Sequence, residues 1–330
     1  MPKYLLSFVL LFAIGLFVSC NRAEPLQTPF LDYSGNTSLM TKAYGDKTPK
    51  MAVYVETNDV NPVNAIDYYL EDGENFFDIV ELFASNIHVD GYGDPCLYFN
   101  PELAPVMANK ATFIEPLQNA GIKVVLSVLG DWQDMGLCTL TDAQAQMLAE
   151  ILAYVVNEYE LDGIGLNDEY EGYNYNTVAG SFGNLILKLR TLLPENKLIT
   201  CFQSGHYSQI GTTAGCCLDY VYTNFTYYVL NSACSISGVT NSHWAPMAMN
   251  LGYSYSNFAR NYLKINAGTT ADNGYGAIMF FNLRRADDVN PVPVLTAIAE
   301  GAYGQGVYVS GGNRPRATAT SGVTITYDDI

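Results

Sequence analysis

The stretch Leu161-Asp-Gly-Ile-Gly-Leu-Asn-Asp-Glu-Tyr170 gathers three carboxylates and an amide around two glycines. If it is a strand, alternation puts Gly163, Gly165, Asn167 and Glu169 on one face, with Asp162, Ile164, Leu166 and Asp168 on the other. The apolar members of the second set suit packing against helices, which leaves Glu169 last on the inward face. A carboxylic acid placed there can give or take a proton. The plainer alternative is a Glu held in an ion pair, or hydrogen-bonded to a Tyr at a rim. Other chemistries find no support. There is no G-x-S-x-G and no phosphate loop, and Gly163-x-Gly165 runs into Asp168 where a dinucleotide fingerprint needs a third Gly. No C-x-x-C occurs, and His88, His206 and His243 are far apart in the chain, so neither a metal nor a cofactor is expected.

Positioning such a residue requires a framework, and from Met51 onward short apolar runs alternate with amphipathic stretches. Strands are predicted at Met51–Glu56, Phe77–Ala84, Lys123–Leu129, Leu161–Glu169, Leu198–Gln203, Leu218–Thr226, Trp244–Asn250 and Ala277–Asn282. Helices fit between them. Thr141-x-x-Gln144 reads as a capping box opening one helix, Phe182 to Leu193 marks another, Phe113 to Leu117 a third, and Pro291 to Tyr303 the last. The alternation predicts a single-domain α/β protein, a (β/α)8 TIM barrel over residues 51–305, with a peripheral tail over 306–330. Barrel enzymes place their chemistry at the C-terminal ends of the strands, which is where Glu169 falls. Gln203, Asn282 and Arg284 end or follow strands five and eight and are expected near the same rim. Trp132 follows strand three and Trp244 opens strand seven; each is either a stacking platform for a ligand or a core residue.

Side chain by side chain, the fourth strand resembles the D-G-x-D-x-D-x-E signature of family 18 glycoside hydrolases. The similarity is greatest to the endo-β-N-acetylglucosaminidases that cut the chitobiose core of N-linked glycans. Further segments carry it: Phe77 to Asn86, Pro116 to Gly130, and Tyr275 to Arg284. The resemblance implies substrate-assisted retaining hydrolysis, an exception to the two-carboxylate scheme. Glu169 matches the proton donor, and Asp162-Gly163 matches the leading pair. Position 165 is Gly and position 167 is Asn where the family has Asp. Asn167 can accept a hydrogen bond from an acetamido N–H but brings no charge to the cationic intermediate, and losing one such element costs about 10²–10³ in turnover. With neutral neighbours, Glu169 is also expected to ionise more readily. The resemblance, with these departures, implies a barrel that engages N-acetylglucosamine-containing glycans and either only binds them or hydrolyses them with strongly attenuated catalysis. The alternative is an active hydrolase in which Asn167 orients the acetamido group. One of Tyr222, Tyr227 and Tyr228 is expected to match the family's acetamido-contacting Tyr, and the loop from Tyr170 to Tyr175 to overhang the glycan.

A formal net charge of −17, with no Lys/Arg cluster, excludes a nucleic-acid footprint. At the N-terminus, Lys3 precedes an apolar run that ends in Phe17-Val18-Ser19-Cys20. This resembles a bacterial lipobox, so residues 1–20 are expected to be a signal peptide and Cys20 the lipidated residue, with 21–50 a tether to the membrane. The expected location is the periplasmic face or the cell surface. Six further cysteines allow 15 pairings; of these Cys96–Cys138, in loops on one rim, is the favoured disulfide.

Overall fold

In the computed structural model, which describes residues 47–170, 176–224, 230–283 and 289–330, the apolar runs form a parallel barrel. Barrel strand one (Lys50–Glu56) pairs with strand two (Ile79–Val89) on one side and strand eight (Ala277–Phe281) on the other. Strands three (Lys123–Leu129), four (Gly163–Asn167), five (Leu198–Phe202) and six (Tyr220–Tyr222) continue from strand two, each parallel to the last. Strand seven is broken. Trp244–Ala245 pairs with strand six and Ala248–Asn250 with strand eight. Pro246 lies at the break, where it has no N–H to give a ladder.

Two apolar layers hold this together. Ala52, Tyr54, Ile79, Val125, Phe202 and Met279 belong to the packed interior of the barrel. A larger layer, which includes Ile164 and Leu166, packs the outside of the strands against the helices. Strand four thus faces as its alternation predicts. The capping box also forms. Thr141 Oγ1 accepts from the Gln144 N–H, and Gln144 Oε1 accepts from the Thr141 N–H, opening the helix Asp142–Glu158. Helices Ser181–Leu192 and Val292–Ala302 likewise lie where they are expected.

Elsewhere the structure departs from expectation. Strand two runs on to Val89, because its end pairs with an antiparallel strand, Pro95–Phe99. The helix expected around Phe113–Leu117 is three short pieces, Leu103–Ala108, Lys110–Phe113 and Glu115–Asn119. A helix at Asn257–Asp272 was not anticipated, since its sequence is too polar to advertise an apolar face. The tail after the last helix adds two short strands. Val307–Val309 pairs with Tyr68–Leu70, and Val323–Ile325 pairs with Pro95–Phe99. Between them Arg314 makes a bidentate ion pair with Asp67, at 2.7 and 3.1 Å. Among the described residues, no helix is long and apolar enough to cross a membrane.

Candidate active site

The glycines of strand four explain how closely its neighbours approach. A Cβ at 163 would lie 2.2 Å from the Leu198 carbonyl oxygen, so only Gly lets strands four and five meet there. A Cβ at 165 would lie 2.3 Å from Glu81 Oε2 and 2.9 Å from Thr200 Oγ1. Two residues further along the same face is Asn167, then Glu169. Both line a cavity of about 220 Å³ at the C-terminal ends of the strands. Tyr54, Phe202 and Met279 line its apolar part, and Tyr170 and Asn282 are on its wall. Glu56, ending strand one, adds a second carboxyl to the lining.

The Asn167 amide is held from both ends. Its Nδ2 donates to Glu169 Oε2 at 2.9 Å, and its Oδ1 accepts from Ser204 Oγ at 2.9 Å. Burial raises the Glu169 carboxyl above the usual range, and the hydrogen bond from Asn167 works in the opposite direction. The expected easy ionisation of Glu169 is corrected on this point. Desolvation, with no neighbouring aspartate, favours its neutral, proton-donating form.

Three non-glycine residues near the mouth take left-handed backbone: Trp132 at φ 56°, Tyr170 at φ 57° and Asn282 at φ 58°. Such conformations cost free energy and recur at functional sites. Trp132 is 68% exposed, and its ring meets that of Tyr170 edge-on at 5.8 Å. Its backbone N–H also donates to the Tyr170 carbonyl at 2.7 Å. Asn282 Nδ2 donates to Asn250 Oδ1 at 3.0 Å.

Other predicted site residues lie away from the cavity. Trp244 is a core residue; it is buried, and its indole N–H donates to the Asn231 carbonyl at 2.8 Å. Tyr222 is fully buried behind Tyr54, its hydroxyl donates to Glu81, and it is absent from the cavity lining. Gln203 is buried beyond the end of strand five and is absent from the cavity lining. Asp162 sits at the N-terminal end of strand four, where it pairs with Lys123 and accepts from the Val124 N–H and Gln118. Its work is to fasten strands. Cys20, Tyr227, Tyr228, Arg284 and the loop 171–175 lie outside the described residues.

The favoured Cys96–Cys138 disulfide is not formed; both residues remain thiols. Cys138 instead approaches the far face of strand four, where its sulfur and ligand atoms of Asp168 and His206 lie within 4.8 Å of one another. Asp168 already accepts from the His206 backbone N–H and faces its ring at 3.1 Å. Three donors are one short of a closed structural zinc set.

Glu81 was not singled out from the sequence, although an acid amid the apolar run Ile79-Val-Glu-Leu-Phe83 was the available signal. Its Oε1 accepts from Thr200 Oγ1 at 2.7 Å and from the Tyr222 hydroxyl at 3.1 Å. Burial pushes its carboxyl up to about 7, against the opposing effect of those two hydrogen bonds.

Fold and site together define a glycoside-hydrolase type of barrel with an acid beyond strand four. Comparison with known proteins gives the family. An endo-β-N-acetylglucosaminidase of Flavobacterium sp. (strain SK1022) is 34% identical over 266 residues, spanning 78% of this chain and 81% of that protein. Endo-β-N-acetylglucosaminidase F1 of Elizabethkingia meningoseptica is 30% identical over 221 residues, 62% of this chain and 65% of the other. Among solved structures, EndoBT-3987 of Bacteroides thetaiotamicron, in complex with Man9GlcNAc2Asn, superposes with a TM-score of 0.70 at 26% identity. That match covers 87% of this chain and 73% of the other. No family model matches the sequence. The chain belongs to the endo-β-N-acetylglucosaminidases of glycoside hydrolase family 18.

Proposed function

We propose that the protein hydrolyses the glycosidic bond inside the chitobiose core of N-linked glycans, with Glu169 as general acid and the substrate's acetamido group as nucleophile. The observation that carries this is the Glu169 carboxyl, raised by burial, on a cavity wall and hydrogen-bonded to Asn167. The glycan class is supported by the activity named for the relatives and by the Man9GlcNAc2Asn held in a similar structure.

In the first step, the acetamido carbonyl oxygen attacks the anomeric carbon while Glu169 passes its proton to the departing oxygen. An oxazolinium ion and a free reducing-end fragment result. Glu169, now a carboxylate, takes a proton from water, which opens the ion with retention and restores the acid. Asn167 orients both partners. Its Nδ2 bond fixes the Glu169 carboxyl, and its Oδ1, already steadied by Ser204, is the acceptor offered to the acetamido N–H. An amide cannot share the cation's charge, so turnover is slower than an aspartate would give. The protein is a hydrolase held below its family's rate, in preference to a pure glycan-capture barrel. Tyr170 and exposed Trp132 offer aromatic faces to the sugar beyond the scissile bond. The lipobox-like Ser19-Cys20 supports export and lipid anchoring at Cys20.

The test is glycan release from a high-mannose glycoprotein and from a chitobiose reporter, run beside binding calorimetry. Release by the wild-type chain, lost in Glu169→Gln with binding retained, is the expected result. Tight binding with no wild-type release would establish glycan capture instead. Neither binding nor release would overturn the ligand class.

A further inference from the structure

Position 165 is the place where a side chain cannot be added, because a carboxyl from another strand already fills the space. A Cβ there would lie 2.3 Å from Glu81 Oε2 and 3.2 Å from its Cδ. Glu81 reaches it from strand two, across the barrel interior, since strand three separates the two strands in the sheet. The carboxyl is anchored by Thr200 and Tyr222 through Oε1, while Oε2 is turned toward Gly165. Among the described residues, Glu81 Oε2 has no hydrogen-bond partner, and neither do the buried hydroxyls of Tyr54 and Ser127. These groups come from neighbouring register positions. Tyr54 stands beside Glu81 on strand one, and Ser127 beside Gly165 on strand three.

We infer that Glu81 is a positioning residue of the hydrolytic centre, its carboxyl transposed from strand two into the space where an acidic side chain at 165 would begin. This rests on the hydrolytic reading above. Packing alone does not account for the residue. Ala52, Ile79 and Ala277 fill the same interior without desolvating an acid, and a buried acid without a structural ion pair, next to a cleft, is a functional-site candidate. Position favours the role as well. Residues 165 and 167 share one face of a strand, about 7 Å apart, so the carboxyl lies one layer beneath Asn167. Tyr54, on the cavity lining, lies within electrostatic reach of both acids: its hydroxyl is raised well above its ordinary value first by burial, then by Glu81, Cys201 and Glu169. Once Glu81 ionises, above about 7, its charge in that layer helps stabilise the oxazolinium ion, which the neutral Asn167 leaves uncompensated; below that the carboxyl acts through its dipole and its place beneath Asn167. Glu81 is absent from the cavity lining; it acts from the layer beneath Asn167, beside Tyr54 on the cavity wall.

The experiment moves the carboxyl between strands and reads kcat and KM separately on the chitobiose reporter, with the folded state checked by thermal melting. Glu81→Gln keeps the size of the side chain and is expected to lower kcat about tenfold or more with KM within about twofold. Gly165→Asp alone is expected to lose activity through collision with Glu81. Glu81→Val with Gly165→Asp, which returns the acid to strand four, is expected to recover at least half of the wild-type kcat. A folded Glu81→Gln enzyme with unchanged kcat would overturn the inference and leave Glu81 as packing. So would a folded double variant no faster than Glu81→Val. An inactive wild-type chain would instead sink the hydrolytic reading, and this inference with it, before any variant is compared.

Discussion

Asn167 can hold an acetamido group in place, but it cannot answer the charge that grows on that group as the bond breaks. Asn167→Asp is therefore expected to raise kcat, by up to about 10². It should also move the alkaline limb of the kcat/KM profile to higher pH, because a second carboxylate beside Glu169 disfavours ionisation of the acid. A pH–rate series on the chitobiose reporter measures both effects, and unchanged kcat in a folded variant would remove Asn167 from the reaction. Glu169 and Asn167 were legible because strand alternation and the family signature name the same positions. Glu81 was not, since its contact with Gly165 joins two strands that are not neighbours in the sheet. Tyr222 and Trp244 show a related limit. Alternation gives the face of a strand, but not whether the layer on that face is cavity or core.

At the scale of elements, strand four is a ribbon thinned by glycine so that its neighbours can close on it. Gly163→Ala forces a methyl group onto the Leu198 carbonyl oxygen at 2.2 Å, where backbone and not a flexible side chain must yield. Overpacking of this kind costs about 1–3 kcal/mol or more. A lowered thermal midpoint, with activity falling in step with the folded fraction, is the expected readout. Elements with a local cause were readable. The Thr141–Gln144 box and the apolar face it opens both appear in the structure. Those with a non-local cause were not. Strand two is prolonged by pairing with Pro95–Phe99, and the many polar residues of Asn257–Asp272 hide the Ala259, Leu263 and Ala267 face that its helix buries.

Over the whole molecule, Glu81 ties stability to pH. Its folded carboxyl is raised from 4.5 to about 7. Below 4.5 both folded and unfolded chains carry the proton, so the contribution is constant and fully present. Between 4.5 and 7 the unfolded chain has lost the proton while the folded chain keeps it. Stability from this group therefore falls as pH rises, by up to about 1.4 kcal/mol per pH unit, and levels off once the folded carboxyl ionises. Denaturant melts at pH 5 and pH 7 should show this slope in the wild-type chain and a shallower one in Glu81→Gln; equal slopes would contradict it.

The C-terminal tail has a consequence of another kind. Val307–Val309 pairs with Tyr68–Leu70, Arg314 grips Asp67, and Asn61 donates to the Pro315 carbonyl, so residues 307–315 are fastened to the segment that follows the first strand. Topologically the domain behaves as a ring with a non-covalent clasp. A single backbone cut in any of the exposed loops between them opens the ring without dividing it, because each fragment still holds strands paired to the other and the clasp still joins its two sides. Unravelling from the C-terminal side must first undo the pairing of Val323–Ile325 with Pro95–Phe99 and then this clasp, so loss of the tail takes two separate openings.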